Sequence, residues 1–144
     1  MSEENKAAVR RVFLELINKG NLDVADEVFA PGYVFRDPLL SDTVRGPEGF
    51  KRLIAGYLEA VPDARITIHD QIAEGDTVMT RWTAHGTHTG DLMGYPATGK
   101  RYELPGVLVS RFAGGKIVED WEFRDDLGML QQVGAIPRPG RSGK

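Results

Sequence analysis

An aspartate at the end of an otherwise apolar strand is a natural place for proton transfer, and Asp125 holds such a place. It closes residues 104–125, LPGVLVSRFAGGKIVEDWEFRD, which alternate as two strands about Gly114-Gly115. Two glycines make the positive φ of a two-residue hairpin turn cheap. A period of two puts Val107, Val109 and Arg111 on one face of the first strand and Leu108, Ser110 and Phe112 on the other. On the second strand it puts Ile117, Glu119, Trp121, Phe123 and Asp125 together. A carboxylate beside Trp121 and Phe123 loses solvation, so its pKa rises and it becomes a usable base near neutral pH. The plainer alternative is that Asp125 and Asp126 end the strand and cap a following helix. Arg111, across the turn, is either a surface ion-pair partner or a cation that steadies developing oxyanion charge. Close to Asp125 it would lower the carboxyl pKa and weaken the base. Asp37, ahead of Pro38, is either a turn former or a second pocket carboxylate.

Other residues bear on a pocket. His85 and His88 of AHGTHTG, even with Asp91, have neither the H-E-x-x-H spacing nor a shared strand face, so no metal site is predicted. One of the two histidines is a candidate hydrogen-bond partner or proton carrier. Trp82, Trp121, Phe35, Phe123, Tyr33, Tyr57 and Met93 can line an apolar cavity for a flat or polycyclic ligand, or simply fill a core. No serine sits in a nucleophile elbow and there is no cysteine, which argues against covalent hydrolase chemistry. The glycine-rich stretches lack the spacing of dinucleotide or phosphate loops.

The elements that would position these residues follow from periodicity. Residues 5–18 read as a helix with Val9, Val12, Phe13, Leu16 and Ile17 on one stripe. A short second helix buries Leu22, Ala25, Val28 and Phe29 and stops at Pro31-Gly32. Tyr33, Val34 and Phe35 form a short strand, and a polar loop covers 41–46. A third helix starts at Pro47, with Phe50, Leu53, Ile54, Tyr57 and Leu58 apolar. From Arg65 the period becomes two. One strand ends at Glu74-Gly75-Asp76 and the next runs from Thr77 to about Thr89, with Val78, Trp82 and Ala84 on one face. Residues 90–100, GDLMGYPATGK, form a loop at a pocket rim or subunit contact. Leu127, Met129, Leu130 and Val133 suggest a closing helix. Three helices ahead of one curled antiparallel sheet is an α+β arrangement with a hollow between its layers. Residues 1–144 read as one domain, with loose tails at about 1–4 and 137–144.

Composition sets outer bounds. Hydrophobic residues make up 41% and charged residues 27%, the balance of a globular protein able to bury a core. A net charge of -3 argues against a general nucleic-acid partner. No apolar run reaches the roughly 20 residues that span a membrane. The polar start MSEENKAAVRR is not a signal peptide, and the lack of cysteine suits a cytoplasmic setting.

Four stretches in this order, NKGNLDVADEVFAPGYVFRDP, GPEGFKRLIAGYLEAVPDARITIHD, IAEGDTVMTRWTAHGTHTGDLMGYPATGK and RFAGGKIVEDWEFRDDLGMLQQVG, carry a resemblance. The chain resembles the SnoaL-like polyketide cyclase (ester cyclase) branch of the nuclear transport factor 2-like superfamily. The resemblance implies a cone-shaped α+β fold with a small-molecule site inside the cone, a homodimer, and no metal or redox cofactor. It implies Asp125 as the general acid/base. The family's histidine is replaced by Arg111, the glutamine two residues earlier by Val109, and the asparagine before the proline by Asp37. Three functions are open: intramolecular aldol-type ring closure; epoxide hydrolysis or isomerisation by Asp37, Arg111 and Asp125, as in limonene epoxide hydrolase-like members of the superfamily; or non-catalytic binding of a small hydrophobic molecule. His85, His88, Trp82, Trp121, Phe35, Tyr57, Phe123 and Val109 are the candidate contacts to that molecule.

Overall fold

The computed structural model describes residues 2–40 and 42–137. Ser41 of the polar loop and residues 138–144 of the expected tail lie outside the described residues. Helix α1 (Ser2–Arg11) carries Glu3 and Glu4 in its first turn and Arg10 and Arg11 in its last, the polarity its dipole favours. The segment expected to be loose is therefore helical from Ser2. The helix widens into a π-helical segment (Val12–Ile17), where Asn18 N–H bonds Phe13 C=O at 3.0 Å. The Asn18 side chain then donates to the Ile66 carbonyl (2.9 Å) and accepts from the Ile66 N–H (2.7 Å), tying the helix end to a sheet edge.

Helix α2 (Val24–Val28) is short, and Phe29 already belongs to strand β1 (Phe29–Arg36). Pro31-Gly32, expected to stop a helix, instead sits where the pairing of β1 slips between Phe29 and Val34. Proline has no N–H to offer the ladder, so it is tolerated only at such an irregularity. After β2 (Val44–Arg45), helix α3 (Gly46–Ala60) opens with Pro47 and Glu48. Strands β3 (Arg65–Glu74), β4 (Thr77–Thr87), β5 (Arg101–Ala113) and β6 (Lys116–Arg124) follow, then helix α4 (Asp126–Gln132).

The six strands form one curved sheet in the order β2-β1-β6-β5-β4-β3. Every neighbouring pair is antiparallel except β1 and β6, which are parallel, because β6 returns beside β1 only after β3–β5 have been laid down. The β5–β6 turn uses Gly114 and Gly115 at φ 59 and 80, as its sequence predicts.

One irregularity decides what faces where. Arg111 pairs with Glu119 but Phe112 pairs with Ile117, so Val118 is an extra residue in β6. A bulge of this kind shifts the alternation by one residue. Ile117 is buried, and beyond the bulge the inward residues are Asp120, Glu122 and Arg124, while Glu119, Trp121 and Phe123 turn to the outer face. Behind them Asp120 is fully enclosed. It accepts hydrogen bonds from Tyr33 Oη and Ser110 Oγ, both at 2.5 Å. Burial pushes its pKa up to about 6 against the pull of those two bonds. Helices α1 and α3, with the π-helical segment, pack against β1, β3 and β4, and the core fills the space between.

Candidate active site

A cavity of about 370 Å³ lies between helices and sheet. Its walls are largely apolar: Val12, Phe13 and Ile17 from the π-helical turn, Phe50, Ile54 and Tyr57 from α3, and Phe35, Ile66, Trp82, Ala84, Leu104 and Leu108 from the strands. Phe50, Ile54 and Tyr57 stand at helical spacing, so one face of α3 supplies them. Trp82 lies across β5 because its cross-strand partner is Gly106; a Cβ there would sit 2.4 Å from the indole. Its Nε1 is buried and has no hydrogen-bond partner among the described residues. Asp91, Leu92 and Met93 form the rim, at a tight turn where Leu92 and Tyr95 exchange backbone hydrogen bonds of 3.0 and 2.9 Å. Met93 is held there at φ 54, a conformation disfavoured for a side-chain-bearing residue.

Apart from Asp91 at the rim, the charged residues bordering the cavity lie on one wall. Glu122 and Arg124 project inward from β6 and Asp126 from the first turn of α4. Arg124 Nη1 is 2.6 Å from Asp37 Oδ2 and 2.9 Å from Glu122 Oε2, while its Nε and Nη2 are each 3.2 Å from Asp126 Oδ2. The side chains of Asp37, Glu122 and Asp126 are only 3%, 15% and 7% exposed, so one buried cation meets three poorly solvated carboxylates. Burial pushes the Glu122 carboxyl up to about 7; Arg124 pulls it down, and Asp37 and Asp120 add to the rise. Burial works against the Arg124 charge, but Glu122, Asp126 and Asp37 outweigh it and hold that pKa above the ordinary arginine value. An inward carboxylate that titrates near neutrality in an apolar cavity can take up and return a proton.

The residues singled out from sequence distribute unevenly over this site. Phe35, Tyr57, Trp82 and Met93 border the cavity. Asp37 holds a turn, accepting from Leu39 N–H at 2.9 Å, and does not border the cavity itself, but it lies 2.6 Å from Arg124, which does. Asp125 does not enter the cavity: it is exposed and caps α4, accepting from Gly128 N–H at 2.9 Å, because the β6 bulge gives the inward position to Asp126. Arg111 lies on the outer face, 3.3 Å from Glu119, and cannot meet Asp125. It lies five residue steps along β5 from Gly106, the partner of Arg124, about 17 Å of strand. Trp121 and Phe123 stack on each other on the outer face with parallel rings 6.4 Å apart, and Arg36 lies over Trp121. Val109 pairs with Trp121 on that same face. His85 faces Glu103 at 3.8 Å. His88 is fully buried and braces the rim loop through Thr98 Oγ1 (3.0 Å) and the Tyr95 carbonyl (3.2 Å). Tyr33 is core, stacked on Phe29. Among the described residues no group of three or more His, Asp or Glu is placed to hold a metal ion.

Glu122, Arg124 and Asp126 were not singled out from sequence. Their signal is the spacing E-x-R-x-D, charges at every second residue from the aromatic end of β6 into α4. Replacing Asp125 with Ala is expected to remove only a helix cap, about 1 kcal/mol of stability, and to leave turnover within twofold of wild type. Urea denaturation and initial rates check it; a large loss of rate would return the proton-transfer role to Asp125.

A family model for SnoaL-like polyketide cyclases matches residues 7–133. The aklanonic acid methyl ester cyclase DnrD of Streptomyces peucetius is 32% identical over 132 residues, 88% of each chain. A solved protein of Jannaschia Sp. CCS1, assigned to the SnoaL-like polyketide cyclases, superposes with a TM-score of 0.85 at 26% identity, covering 94% of both chains. A Catenulispora acidiphila protein with a ketosteroid isomerase-like fold superposes at 0.73 over 90% of this chain and 93% of its own, and at 19% identity it speaks for the fold alone. The cone-shaped architecture is thus that of the nuclear transport factor 2 and ketosteroid isomerase-like proteins, and the chain belongs to the SnoaL-like polyketide cyclase family.

Proposed function

We propose that this protein closes a ring in a polycyclic polyketide methyl ester by an intramolecular aldol reaction, with Glu122 carrying the proton. The observation that supports this most directly is a carboxylate raised to about 7 on the charged inner wall of a largely apolar cavity. Ionised Glu122 takes the proton from a carbon flanked by carbonyl groups. The resulting enolate carbon attacks a ketone carbon of the same molecule, forming the C–C bond as the C=O π bond opens to an alkoxide. Protonated Glu122 then gives its proton to that alkoxide, so substrate and product are isomers. Arg124, held by Asp37 and Asp126, keeps the Glu122 carboxylate in place. The apolar walls hold the ring system so that the reacting carbons meet. The test is incubation with aklanonic acid methyl ester, the substrate in the name of the Streptomyces peucetius relative. A chromatographically distinct product of unchanged mass is expected; failure to bind or convert this ester and other polycyclic methyl esters would end the proposal.

One observation favours a second reading. Arg124 lies between Asp37 and Asp126, a carboxylate–arginine–carboxylate array suited to activating water against an epoxide. Hydrolysis of 1-methylcyclohexene oxide with uptake of ¹⁸O from water would support it.

The proposed assembly is a homodimer joined through the outer sheet face. Ile72, Met79, Trp121 and Phe123 are 67%, 46%, 41% and 50% exposed there, and the pairs Ile72–Met79, Met79–Val109 and Val109–Trp121 form a continuous row across four strands. An apolar patch of this kind on a sheet face is normally covered. The double substitution Trp121→Lys, Phe123→Asp is expected to halve the mass measured by light scattering, and a monomeric wild type would refute the dimer.

A further inference from the structure

Ring closure through an enolate needs a donor for the enolate oxygen as well as a base, and the polar residues bordering the cavity narrow the choice. Asp91, Glu122 and Asp126 only accept when ionised. Arg124 donates to Glu122 through Nη1 and to Asp126 through Nε and lies 2.6 Å from Asp37, so its charge is engaged by three carboxylates. Trp82 Nε1 is buried beneath neighbouring atoms. That leaves the Tyr57 hydroxyl, the remaining neutral donor on the cavity wall.

Tyr57 does not stand alone. Its Oη lies 2.7 Å from Tyr102 Oη, a residue of β5 buried behind it. Two hydroxyls sharing one hydrogen bond leave one proton unplaced. The place of Tyr102 is built into the sheet: a Cβ on Gly86, its cross-strand partner, would come within 3.2 Å of the Tyr102 hydroxyl and 2.4 Å of Val61. Tyr102 is buried and has no other hydrogen-bond partner among the described residues, so the assignment in which it donates to Tyr57 satisfies its proton and leaves that of Tyr57 for the cavity. Burial raises the pKa of both phenols, with the Tyr102 bond and the Arg124 charge partly opposing this at Tyr57, so both stay protonated at neutral pH. Tyr57, Glu122 and Arg124 border the same cavity, and the charges of the latter two act on the Tyr57 phenol in opposite senses.

We infer that Tyr57 is a catalytic hydrogen-bond donor to the enolate oxygen of the substrate and that Tyr102 positions it and strengthens it through the shared bond. The inference rests on the ring-closure proposal for its chemistry but not for its binding test. No proton leaves Tyr57; its O–H shortens onto the oxygen as negative charge grows there and relaxes when the carbonyl is restored.

The binding arm compares 2-naphthol with naphthalene in wild type and in Tyr57→Phe, by fluorescence titration. Tyr57→Phe is expected to weaken 2-naphthol at least fivefold and to leave naphthalene within twofold. Equal effects on both probes, or none on 2-naphthol, would overturn the inference. In the rate arm, Tyr57→Phe lowers kcat for ring closure about 10²-fold with KM little changed and with the rise of activity through neutral pH retained, since Glu122 is intact. Tyr102→Phe, with Tyr57 still in place, loses a smaller factor, about tenfold, and serves if Tyr57→Phe does not fold; full activity in Tyr102→Phe would remove its positioning role. If the wild type closes no ring, the cyclase proposal falls while the naphthol comparison still decides the role of Tyr57.

Discussion

Replacing Glu122 with Gln is expected to lower kcat for ring closure about 10³-fold, the loss of a positioned proton carrier, with KM changed only a few fold. The amide keeps the shape of the carboxylate and can still accept from Arg124 Nη1, the 2.9 Å contact of the wild type, so the cavity is preserved while the proton carrier is lost. In the wild type, kcat/KM should climb as pH rises through about 7, because in the proposed mechanism only ionised Glu122 abstracts a proton, and should level off above. That limb should vanish in Glu122→Gln. Stability moves the opposite way. The folded-state pKa of Glu122 is raised, so the native state binds more protons than the unfolded chain between the ordinary carboxylate range and about 7. Its contribution is fully present below that range and is lost as pH rises through about 7. Asp120, raised to about 6, adds to the same slope. The wild type should therefore lose stability between about pH 5 and pH 8, and Glu122→Gln should flatten only part of the decline, because Asp120 remains. Urea titrations at several pH values resolve this. A fully active Glu122→Gln would remove the residue from the chemistry.

What the sequence made legible was whatever depends on local pattern. The apolar stripe of residues 9–17, the proline start of α3 and the two-glycine turn of β5–β6 are all where periodicity and turn chemistry put them. The inward set Phe35, Tyr57 and Trp82 follows from the same alternation and from membership of the family. The hidden part was the phase of β6. A bulge at Val118 is a property of how β6 pairs with β5, and nothing in the residue types IVED announces it. Without the bulge, Trp121 and Phe123 face inward and bring Asp125 with them. With it, the aromatics go out to the face proposed for the dimer and Glu122, Arg124 and Asp126 come in. The usual preference for aromatics inside misleads in a strand whose two faces are a cavity wall and an exposed apolar patch. His88 was singled out as a ligand contact, but its bracing role was hidden for a related reason: its contacts come from a loop that folds back over the strand end.

The largest stability effect should come from Arg124→Leu. The leucine keeps much of the apolar volume, yet it leaves Asp37, Glu122 and Asp126 facing one another with side chains only 3%, 15% and 7% exposed and no cation between them. Breaking a buried ion cluster by removing one partner typically costs about 3–5 kcal/mol, which for a chain of this size lowers the melting temperature by about 10–20 °C. Lost packing would cost the same at every pH, whereas repulsion among stranded carboxylates is relieved when they take up protons. The penalty should therefore be largest at pH 8 and shrink steadily toward pH 5, which calorimetry on wild type and variant will show. Asp37→Asn, which removes one negative charge and leaves Arg124 with two partners, should cost far less. A pH-independent penalty, or none, would mean that Arg124 is not the group holding these carboxylates in the cavity wall, and Glu122 would then lack the fixed position that ring closure requires of it.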